Sequence, residues 1–185
     1  METINLDDFS DGPRIFSASK FFDNRGYFQM VFNFDRLRTL LPQLPVMNQL
    51  NCIVSKQNSL RGFHGSNVAE NHWKILACLS GEIRDAYLDI RTTSTTFGKV
   101  AFENLNPDEM CVAVIPPGFA HAFQGLAEDT IAIYMTNILY EKQNEVDIYP
   151  LDSRWSGIWN DHSVLSLRDQ NARSFDALLA TDAFK

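Results

Sequence analysis

The sequence predicts an all-β protein, a barrel or sandwich of short strands with two minor helices. Short segments with strand-like alternation recur along the chain and are separated by turn residues. A parallel α/β fold would need a helix after each strand, and the sequence offers none. Aromatic residues make up 12% of the chain, including 14 Phe, which suits the packed interior of a barrel.

The first part of the chain predicts two strands, a turn and a helix. A strand is predicted at residues 14–21, a turn at 23–26, and an alternating segment at 27–33. Helical spacing follows at residues 34–41, with Asn33 as the candidate N-cap and Pro42 ending the helix.

The rest of the chain continues the strand pattern before a helical C-terminal segment. Further strands are predicted at residues 48–56, 74–80, 82–91, 99–105, 110–115, 120–126 and 130–139. Ser166 is a candidate cap for a helix through the C-terminal segment, where Phe175, Leu178 and Leu179 fall on one face.

Composition bounds the domain organisation and the classes of partner. The 185 residues predict one domain over residues 1–185, with 45% hydrophobic and 21% charged residues. A net charge of -7 argues against a nucleic-acid or membrane-surface binder. No apolar run has the roughly 18–20 residues of a membrane helix, and the N-terminus is unlike a signal peptide. Three cysteines without paired spacing indicate reduced thiols in the cytoplasm.

Two polar residues in the first half of the chain have open interpretations. His64, in Leu-Arg-Gly-Phe-His-Gly, is as easily a satisfied loop residue as a functional one. Lys74 lies in an apolar segment, where a surface lysine is the commoner case. An inward-pointing Lys74 would need an anionic partner.

The second half adds a polar strand face, a histidine and two tyrosines. Period-two counting places Asp85, Tyr87 and Asp89 on one face of a strand, toward solvent or a polar cavity. A Pro-Gly turn delivers His121 to the start of another strand, and Tyr134 and Tyr140 follow. Without further context, each tyrosine is more often a packing residue.

Other classes of site lack their signals. The histidines form no H-x-H pair and no H-E-x-x-H motif, which favours a metal-free site. No G-x-S-x-G nucleophile elbow, phosphate loop or dinucleotide fingerprint occurs either.

The order of the motifs resembles the dTDP-4-dehydrorhamnose 3,5-epimerase family of the cupin superfamily, over roughly residues 14–171. The motifs are Asp23-Asn24-Arg25-Gly26, Leu60-Arg61-Gly62-Phe63-His64, Lys74, Gly81-Glu82 with Asp85 and Asp89-Ile90-Arg91, Ser94-Thr95-Thr96-Phe97-Gly98, Ile115-Pro116-Pro117-Gly118-Phe119-Ala120-His121-Ala122-Phe123, and Tyr134 through Tyr140. The stretch Pro-Gly-Phe-Ala-His is the most specific of them.

The resemblance implies a cupin jelly-roll β-barrel with a few short peripheral helices, and a homodimer that works without metal or organic cofactor. It also implies an epimerase that inverts C3, C5 or both in a nucleoside-diphospho-4-keto-6-deoxy sugar. The implied catalytic residues are His64 as base, Asp169 as its carboxylate partner, Lys74 beside the ketone and Tyr134 as proton donor. The implied substrate-binding residues are Arg25, Gln49, Asn51, Arg61, Asp85, His121 and Tyr140.

This set of residues suits the chemistry that the resemblance implies. Hydrogens at C3 and C5 lie next to the C4 ketone, so removing one gives an enolate with its charge on the C4 oxygen. A histidine near neutral pKa suits the base, and a phenol can return a proton to the opposite face. An ammonium group stabilises the oxyanion, and arginines bind a diphosphate.

Departures from the family pattern leave the substrate open. Asn24, Met30, Gly65-Ser66, Met135, and the Cys52-Ile53 and Ile138-Leu139 pairs replace the family's usual residues around the nucleotide and sugar. The nucleotide base and the sugar therefore stay open, as does the choice between C3 and C5. The alternatives are a monofunctional 3- or 5-epimerase or a ketoisomerase on a CDP- or GDP-linked sugar, and a non-catalytic cupin that binds a sugar nucleotide.

Overall fold

The computed structural model describes residues 3–66, 71–109, 111–139, 141–155, 157–181 and 183–184. Its strands are β1 (Arg14–Ser17), β2 (Ser19–Asp23), β3 (Gly26–Met30), β4 (Gln49–Ser55), β5 (Ser59–Ser66), β6 (Lys74–Ser80), β7 (Ile83–Asp89), β8 (Val100–Leu105), β9 (Cys111–Ile115), β10 (Phe119–Gly125), β11 (Thr130–Thr136), β12 (Glu145–Asp147) and β13 (Val164–Leu165). The α-helices are α1 (Phe34–Leu40), α2 (Leu167–Gln170) and α3 (Phe175–Leu179). None of the described helices has the length and apolar character that a membrane crossing requires.

Two mainly antiparallel sheets form a jelly-roll barrel, which confirms the predicted all-β fold. One sheet has the order β1-β9-β6-β11-β4, and the other has the order β12-β5-β10-β7-β8, with β13 pairing parallel to β5. Side chains from both sheets, including Leu76, Ile83, Ala113 and Phe123, share one buried cluster. The two inner faces therefore enclose a common interior.

The strand predicted at residues 14–21 is wrong in one respect, because it divides at Ala18. β1 pairs with β9 in the five-stranded sheet, whereas β2 pairs with β3 in a separate two-stranded hairpin. Asp23 Oδ1 accepts a hydrogen bond from the Arg25 backbone N–H at 2.8 Å, and Gly26 has a φ of 130°. The turn predicted at residues 23–26 is thus confirmed as the hairpin tip.

The predicted first helix and its cap are confirmed. Asn33 Oδ1 accepts a hydrogen bond of 2.9 Å from the Arg36 N–H at the start of α1. Leu37 of α1 packs with Trp73 and Val112 in a cluster on the outer face of the five-stranded sheet. The helix therefore covers one side of the barrel and leaves the interior to the strands.

β5 is a central strand that sequence reasoning treated as a possible loop because of its glycines. It pairs with β10, β12 and β13. A Cβ on Gly62 would lie 2.5 Å from the His121 backbone oxygen and 2.7 Å from Ala122, closer than side chains tolerate. Gly62 therefore permits the close approach of β5 to β10, and it also has a φ of 112°.

The period-two reading of β7 is confirmed, and its polar face lies inside the barrel rather than toward solvent. Asp85, Tyr87 and Asp89 have no exposed surface. The opposite face, with Ala86 and Leu88, packs against the C-terminal segment. Both faces of this strand are thus buried.

The C-terminal helix prediction is partly wrong. Ser166 does cap a helix, since its Oγ accepts from the Asp169 N–H, but α2 ends at Gln170. A second helix, α3, begins after the cap Ser174. Phe175 and Leu178 are buried in α3 as predicted, whereas Leu179 is 44% exposed.

A buried carboxylate fixes the loop that follows β7. Asp89 Oδ2 accepts hydrogen bonds from Arg91 Nη2, Ser94 Oγ and Thr96 Oγ1, each at 2.7 Å. Burial raises the pKa of Asp89, but the hydrogen bonds from Arg91, Ser94 and Thr96 outweigh it, and the pKa lies below its ordinary value. The carboxylate is therefore ionised in the folded protein at neutral pH.

We expect Asp89→Asn to lower the free energy of unfolding by about 3 kcal/mol, because it breaks a buried, fully hydrogen-bonded ion pair. Urea unfolding at pH 7 measures the change. The control is Asp108→Asn at a 96% exposed carboxylate in a surface ion pair, which should leave the free energy unchanged. Equal effects of the two substitutions would contradict this account of the loop.

Candidate active site

A cavity of about 650 Å³ lies between the inner faces of the two sheets. Its lining includes eight of the eleven residues predicted for the site: His64, Lys74, Tyr134, Asp169, Gln49, Asn51, Arg61 and His121. A volume in the range of small-molecule sites, lined by apolar and convergent polar groups, is typical of a ligand pocket.

His64 is paired with a carboxylate from the C-terminal segment. Its Nε2 lies 2.7 Å from Asp169 Oδ1, and the His64 side chain is 26% exposed while that of Asp169 is 4% exposed. A carboxylate only accepts, so Nε2–H donates to Asp169 and the neutral ring keeps its lone pair on Nδ1. Among the described residues no hydrogen bond reaches this Nδ1, which leaves it available as a base.

Asp169 is held in place by the start of α2. Ser166 Oγ, at the N-cap of that helix, donates to Asp169 Oδ2 at 2.7 Å. Burial raises the pKa of Asp169, but hydrogen bonds from His64 and Ser166 and the charges of His64 and Arg168 outweigh burial. The pKa therefore lies below its ordinary value, and the carboxylate is ionised beside His64.

Lys74 places its ammonium group beside the segment that carries His64. Lys74 Nζ donates to the His64 backbone oxygen at 3.2 Å. Burial lowers the pKa of Lys74, and the charge of Glu145 partly opposes this change. The Lys74 side chain thus points into the cavity, which is the less common of the two interpretations that the sequence left open.

Tyr134 faces the same cavity from the opposite sheet. It lies on β11 and aligns with Leu76 of β6, whereas His64 lies on β5 of the other sheet. Burial raises the pKa of Tyr134, and the charge of Glu145 raises it further. The phenol therefore keeps its proton at neutral pH and can act as a donor.

Asp85 lies behind the cavity wall, next to His121. Asp85 Oδ1 contacts His121 Nε2, and Tyr87 Oη donates to Asp85 Oδ2 at 2.6 Å. Asp85 has no exposed side-chain surface, while His121 lines the cavity. Asp85 therefore acts on the cavity through His121 rather than by direct contact.

The remaining predicted residues that line the cavity lie on β4 and β5. Gln49 Nε2 donates to Asn51 Oδ1 at 2.8 Å, and Asn51 Nδ2 is a buried donor without a hydrogen-bond partner among the described residues. Arg61 Nε donates to Ser55 Oγ at 3.2 Å, which anchors one edge of its guanidinium group. These groups leave polar hydrogens that a ligand can satisfy.

Besides Asp85, one predicted site residue among those that the structure describes does not line the cavity. Arg25 lies at the exposed tip of the β2–β3 hairpin and forms an ion pair with Asp23 at 2.6 Å. That hydrogen bond with Asp23 raises the pKa of Arg25. Tyr140 lies outside the described residues.

Sequence reasoning missed several polar residues of the cavity. His72 and Thr136 are hydrogen-bonded through Nε2 and Oγ1 at 3.0 Å, and Arg168 Nη2 lies 3.1 Å from Glu145 Oε2. Burial lowers the pKa of His72 to about 3, assisted by the charge of Lys74, so this ring stays neutral. Extending the period-two count from Lys74 to His72 and from Tyr134 to Thr136 would have found the first pair.

The arrangement combines groups that together can move protons on a small molecule. An imidazole held by a carboxylate lies on one wall, and a protonated phenol lies on the other. The ammonium group of Lys74, hydrogen-bonded to the His64 backbone oxygen, can stabilise a developing oxyanion. Among the described residues, no group of three or more His, Cys, Asp or Glu is placed to hold a metal ion.

Comparison with known proteins identifies relatives that share this architecture. The sequence profile of the dTDP-4-dehydrorhamnose 3,5-epimerase family matches residues 10–177. A dTDP-4-dehydrorhamnose 3,5-epimerase of Streptomyces griseus is 34% identical, over 87% of this chain and 81% of its own length. A dTDP-4-dehydro-6-deoxyglucose 3-epimerase of a Streptomyces species is 29% identical, over 81% of this chain and 78% of its own length.

A solved structure of similar fold was obtained with a ligand. It is a dTDP-6-deoxy-D-glucose-3,5-epimerase from Legionella pneumophila in complex with dTDP-4-keto-L-rhamnose. The TM-score is 0.85 at 28% sequence identity, over 93% of this chain and 91% of that one. The likeness thus extends over both sheets.

We expect the stability that Asp169 contributes to depend on pH. Its folded pKa lies below the unfolded value of about 3.9, so this stability is present above that value and is lost as the pH falls through the folded pKa. Asp169→Asn should therefore lower the free energy of unfolding by about 2 kcal/mol at pH 7 and by less in strong acid. Urea unfolding across this pH range, with exposed Asp161→Asn as control, measures the difference. A gap that widens in acid would contradict the account.

Proposed function

Because this chain belongs to the dTDP-4-dehydrorhamnose 3,5-epimerase family and is a sugar-nucleotide epimerase, we propose that it acts on a dTDP-linked 4-keto-6-deoxyhexose. The observation that carries the residue assignment is the placement of His64 and Tyr134 on opposite sheets around one cavity, with Lys74 beside His64. Inversion at carbon requires removal of a proton from one face and its return to the other. An acid and a base on facing walls satisfy that requirement.

His64 is the base in this proposal. Asp169 holds Nε2–H, so the proton from C3 or C5 passes to Nδ1 and the ring becomes an imidazolium. The ionised Asp169 then stabilises the positive ring by direct contact. The pair therefore fixes the tautomer before the reaction and lowers the energy of the charged state during it.

Lys74 stabilises the enolate. Its ammonium group, 3.2 Å from the His64 carbonyl, is held close to the base. Removal of the proton sends negative charge to the C4 oxygen of the sugar. A cation fixed near that oxygen in a partly dehydrated cavity lowers the barrier more than it would in water.

Tyr134 returns the proton on the opposite face. Its raised pKa keeps the phenol protonated before the reaction. Proton transfer from the phenol to carbon leaves a phenolate, which solvent or a neighbouring group reprotonates. Positioned transfer of this kind contributes typically about 10²–10⁴-fold to the rate.

Polar groups on β4 and β5 bind the rest of the substrate. Arg61 supplies guanidinium hydrogens for the diphosphate, since planar donors match phosphate oxygens. Gln49 and Asn51 supply amide groups to the sugar nucleotide, which gives Asn51 Nδ2 the hydrogen-bond partner that it does not find among the described residues. His121, backed by Asp85, binds the sugar. Tyr140 retains its predicted binding role.

A 3-epimerase is the second candidate, because the Streptomyces relative named as a dTDP-4-dehydro-6-deoxyglucose 3-epimerase covers 81% of the chain. Both activities use the same base and donor. They differ in whether the C5 proton also becomes accessible to His64. The site of isotope incorporation distinguishes them.

We expect the protein to exchange protons of dTDP-4-keto-6-deoxyglucose with solvent in deuterated water. NMR should show deuterium at C3 and at C5 for a 3,5-epimerase, and at C3 alone for a 3-epimerase. CDP- and GDP-linked 4-keto sugars form the comparison panel. If the protons of none of these sugar nucleotides exchanged with solvent, the proposed substrate class would be wrong.

We expect His64→Ala to abolish exchange and Tyr134→Phe to abolish net inversion, while both variants keep the wild-type circular dichroism spectrum. Loss of the base removes the first proton transfer, and loss of the phenol removes the second. Tyr149→Phe, outside the cavity, is the control. Near-wild-type exchange by His64→Ala would show that the base is another residue.

The β2–β3 hairpin supports a homodimer. It exposes the aromatic side chains Phe21, Phe22, Tyr27 and Phe28. β4 is the edge strand of its sheet and exposes Leu50 and Val54, each by 60%. We infer that the hairpin of one copy packs against β4 of the other copy, since apolar surfaces of this kind are stabilised by association.

This assembly would also account for Arg25. β4 carries Gln49 and Asn51 in the cavity wall, so a hairpin on its open edge lies near the cavity of the other copy. Arg25 of the partner subunit would then add a guanidinium group to the diphosphate site. The predicted role of Arg25 in substrate binding depends on this contact.

We expect sedimentation to give twice the 21.1 kDa mass of the chain for the wild type. The double variant Phe22→Asp with Phe28→Asp should give the mass of one chain. Two carboxylates cannot be buried unpaired at an interface. Leu179→Asp, at a 44% exposed position of α3, is the matched control and should stay dimeric. A monomeric wild type would overturn the dimer.

We propose a cytoplasmic location because the cysteines form no disulfide among the described residues. Cys52, Cys78 and Cys111 are all free thiols, and Cys78 is buried. Burial raises the pKa of Cys78 to about 11, which keeps it as an unreactive thiol. Free thiols are typical of a reducing compartment.

A further inference from the structure

Tyr87 carries a buried phenol to which the proposed proton transfer assigns no role. Tyr87 lies on β7 and has no exposed surface. Its Oη donates to Asp85 Oδ2 at 2.6 Å. The ring aligns with His121 of β10 in the strand register, with ring centroids 6.0 Å apart and 23° between the planes.

The Asp85 carboxylate is shared between two donors. Oδ1 contacts His121 Nε2, and Oδ2 accepts from Tyr87. With both oxygens engaged, the plane of the carboxylate and the direction of its contact with His121 are fixed. Of the three residues, only His121 lines the cavity.

The protonation of His121 decides what it can offer to a ligand. With Nε2–H donating to Asp85, a neutral ring has a lone pair on Nδ1, to which no hydrogen bond runs within the described part of the chain. Such a nitrogen accepts from a hydroxyl group. An imidazolium would instead present a second N–H and could not accept.

Tyr87 is the second donor on Asp85. An unshared carboxylate stabilises an adjacent imidazolium with its whole charge, whereas a phenol that donates to the same carboxylate disperses part of that charge. Burial raises the pKa of Tyr87 well above its ordinary value, as does the charge of Asp85, so the phenol keeps its proton. Tyr87 therefore remains a donor throughout the working pH range.

We propose that Tyr87 is a positioning residue that fixes the Asp85 carboxylate against His121 Nε2–H, so that His121 Nδ1 faces the cavity and accepts a hydrogen bond from a hydroxyl group of the sugar. The proposal rests on the proposed function, because it requires the sugar to lie in the cavity beside His121. Packing alone does not need the hydroxyl group, since a phenylalanine would fill the same space between the sheets. The hydroxyl is thus the part of Tyr87 that the substrate site uses.

Tyr87→Phe tests the proposal by removing only the hydroxyl group. We expect KM for the sugar nucleotide to rise about tenfold while kcat changes by less than about threefold, the effect of losing one substrate hydrogen bond. The ¹⁵N chemical shifts of His121 in the free variant should move away from those of the fixed Nε2–H tautomer. Tyr149→Phe should change neither quantity.

Coupling to His121 separates positioning from packing. In a His121→Gln background, Tyr87→Phe should raise KM no further, because the residue through which it acts is gone. Equal effects in both backgrounds would overturn the proposal, as would an unchanged KM in Tyr87→Phe. A raised KM with unmoved His121 shifts would overturn it too.

The two readouts also separate this proposal from the function on which it rests. The NMR measurement uses the protein without substrate. A wild type that turns over none of the sugar nucleotides refutes the proposed function. An active wild type whose Tyr87→Phe variant keeps KM and the His121 tautomer refutes only the role of Tyr87.

Discussion

The close packing of β5 on β10 is the constraint on which the site depends. Gly62 allows the two backbones to approach, because any side chain there would overlap the His121 carbonyl and Ala122. His64 and Arg61 follow and precede that point on the same strand, and His121 lies directly across from His64 in the register. A barrel with these strands further apart would still enclose a cavity, but its two histidines would no longer share one wall.

Hydrogen-bonded partners explain how a β-barrel can keep so many ionisable groups inside. Asp169 is stabilised by His64 and Ser166, and Asp85 by His121 and Tyr87. An isolated carboxylate in such an interior would take up a proton instead of remaining charged. Each pair therefore delivers one imidazole of defined tautomer to the cavity. Tyr134 on the other sheet stays protonated at neutral pH, because burial and the charge of Glu145 both raise its pKa.

The sequence predicted the strands better than the elements whose form depends on distant contacts. β6 has the predicted bounds, and β4, β7, β8, β9 and β11 lie inside theirs, whereas β10 begins and ends one residue earlier than predicted. β5 was not predicted as a strand, since its glycines are required by contact with β10 rather than by a turn. The division at Ala18 depends on β1 joining β9, which lies almost a hundred positions later.

The candidate site, too, was predicted from the sequence only in part. Residues matched by motif to a family, such as His64 and Tyr134, were found, and the structure places them around one cavity. Glu145 belongs to no motif that the sequence displays, and only the fold brings it to the cavity. The roles assigned to all of these residues remain predictions. The single domain over residues 1–185 and the function without a cofactor are predictions as well.

The partnership of His64 with Asp169 spans 105 positions of the chain. A ribosome adds residues in order, so β5 and β10 are translated well before α2 leaves the exit tunnel. The nascent barrel therefore carries an imidazole that lacks its anchor and has no fixed tautomer. The pairing is completed only when the C-terminal segment docks, with β13 beside β5.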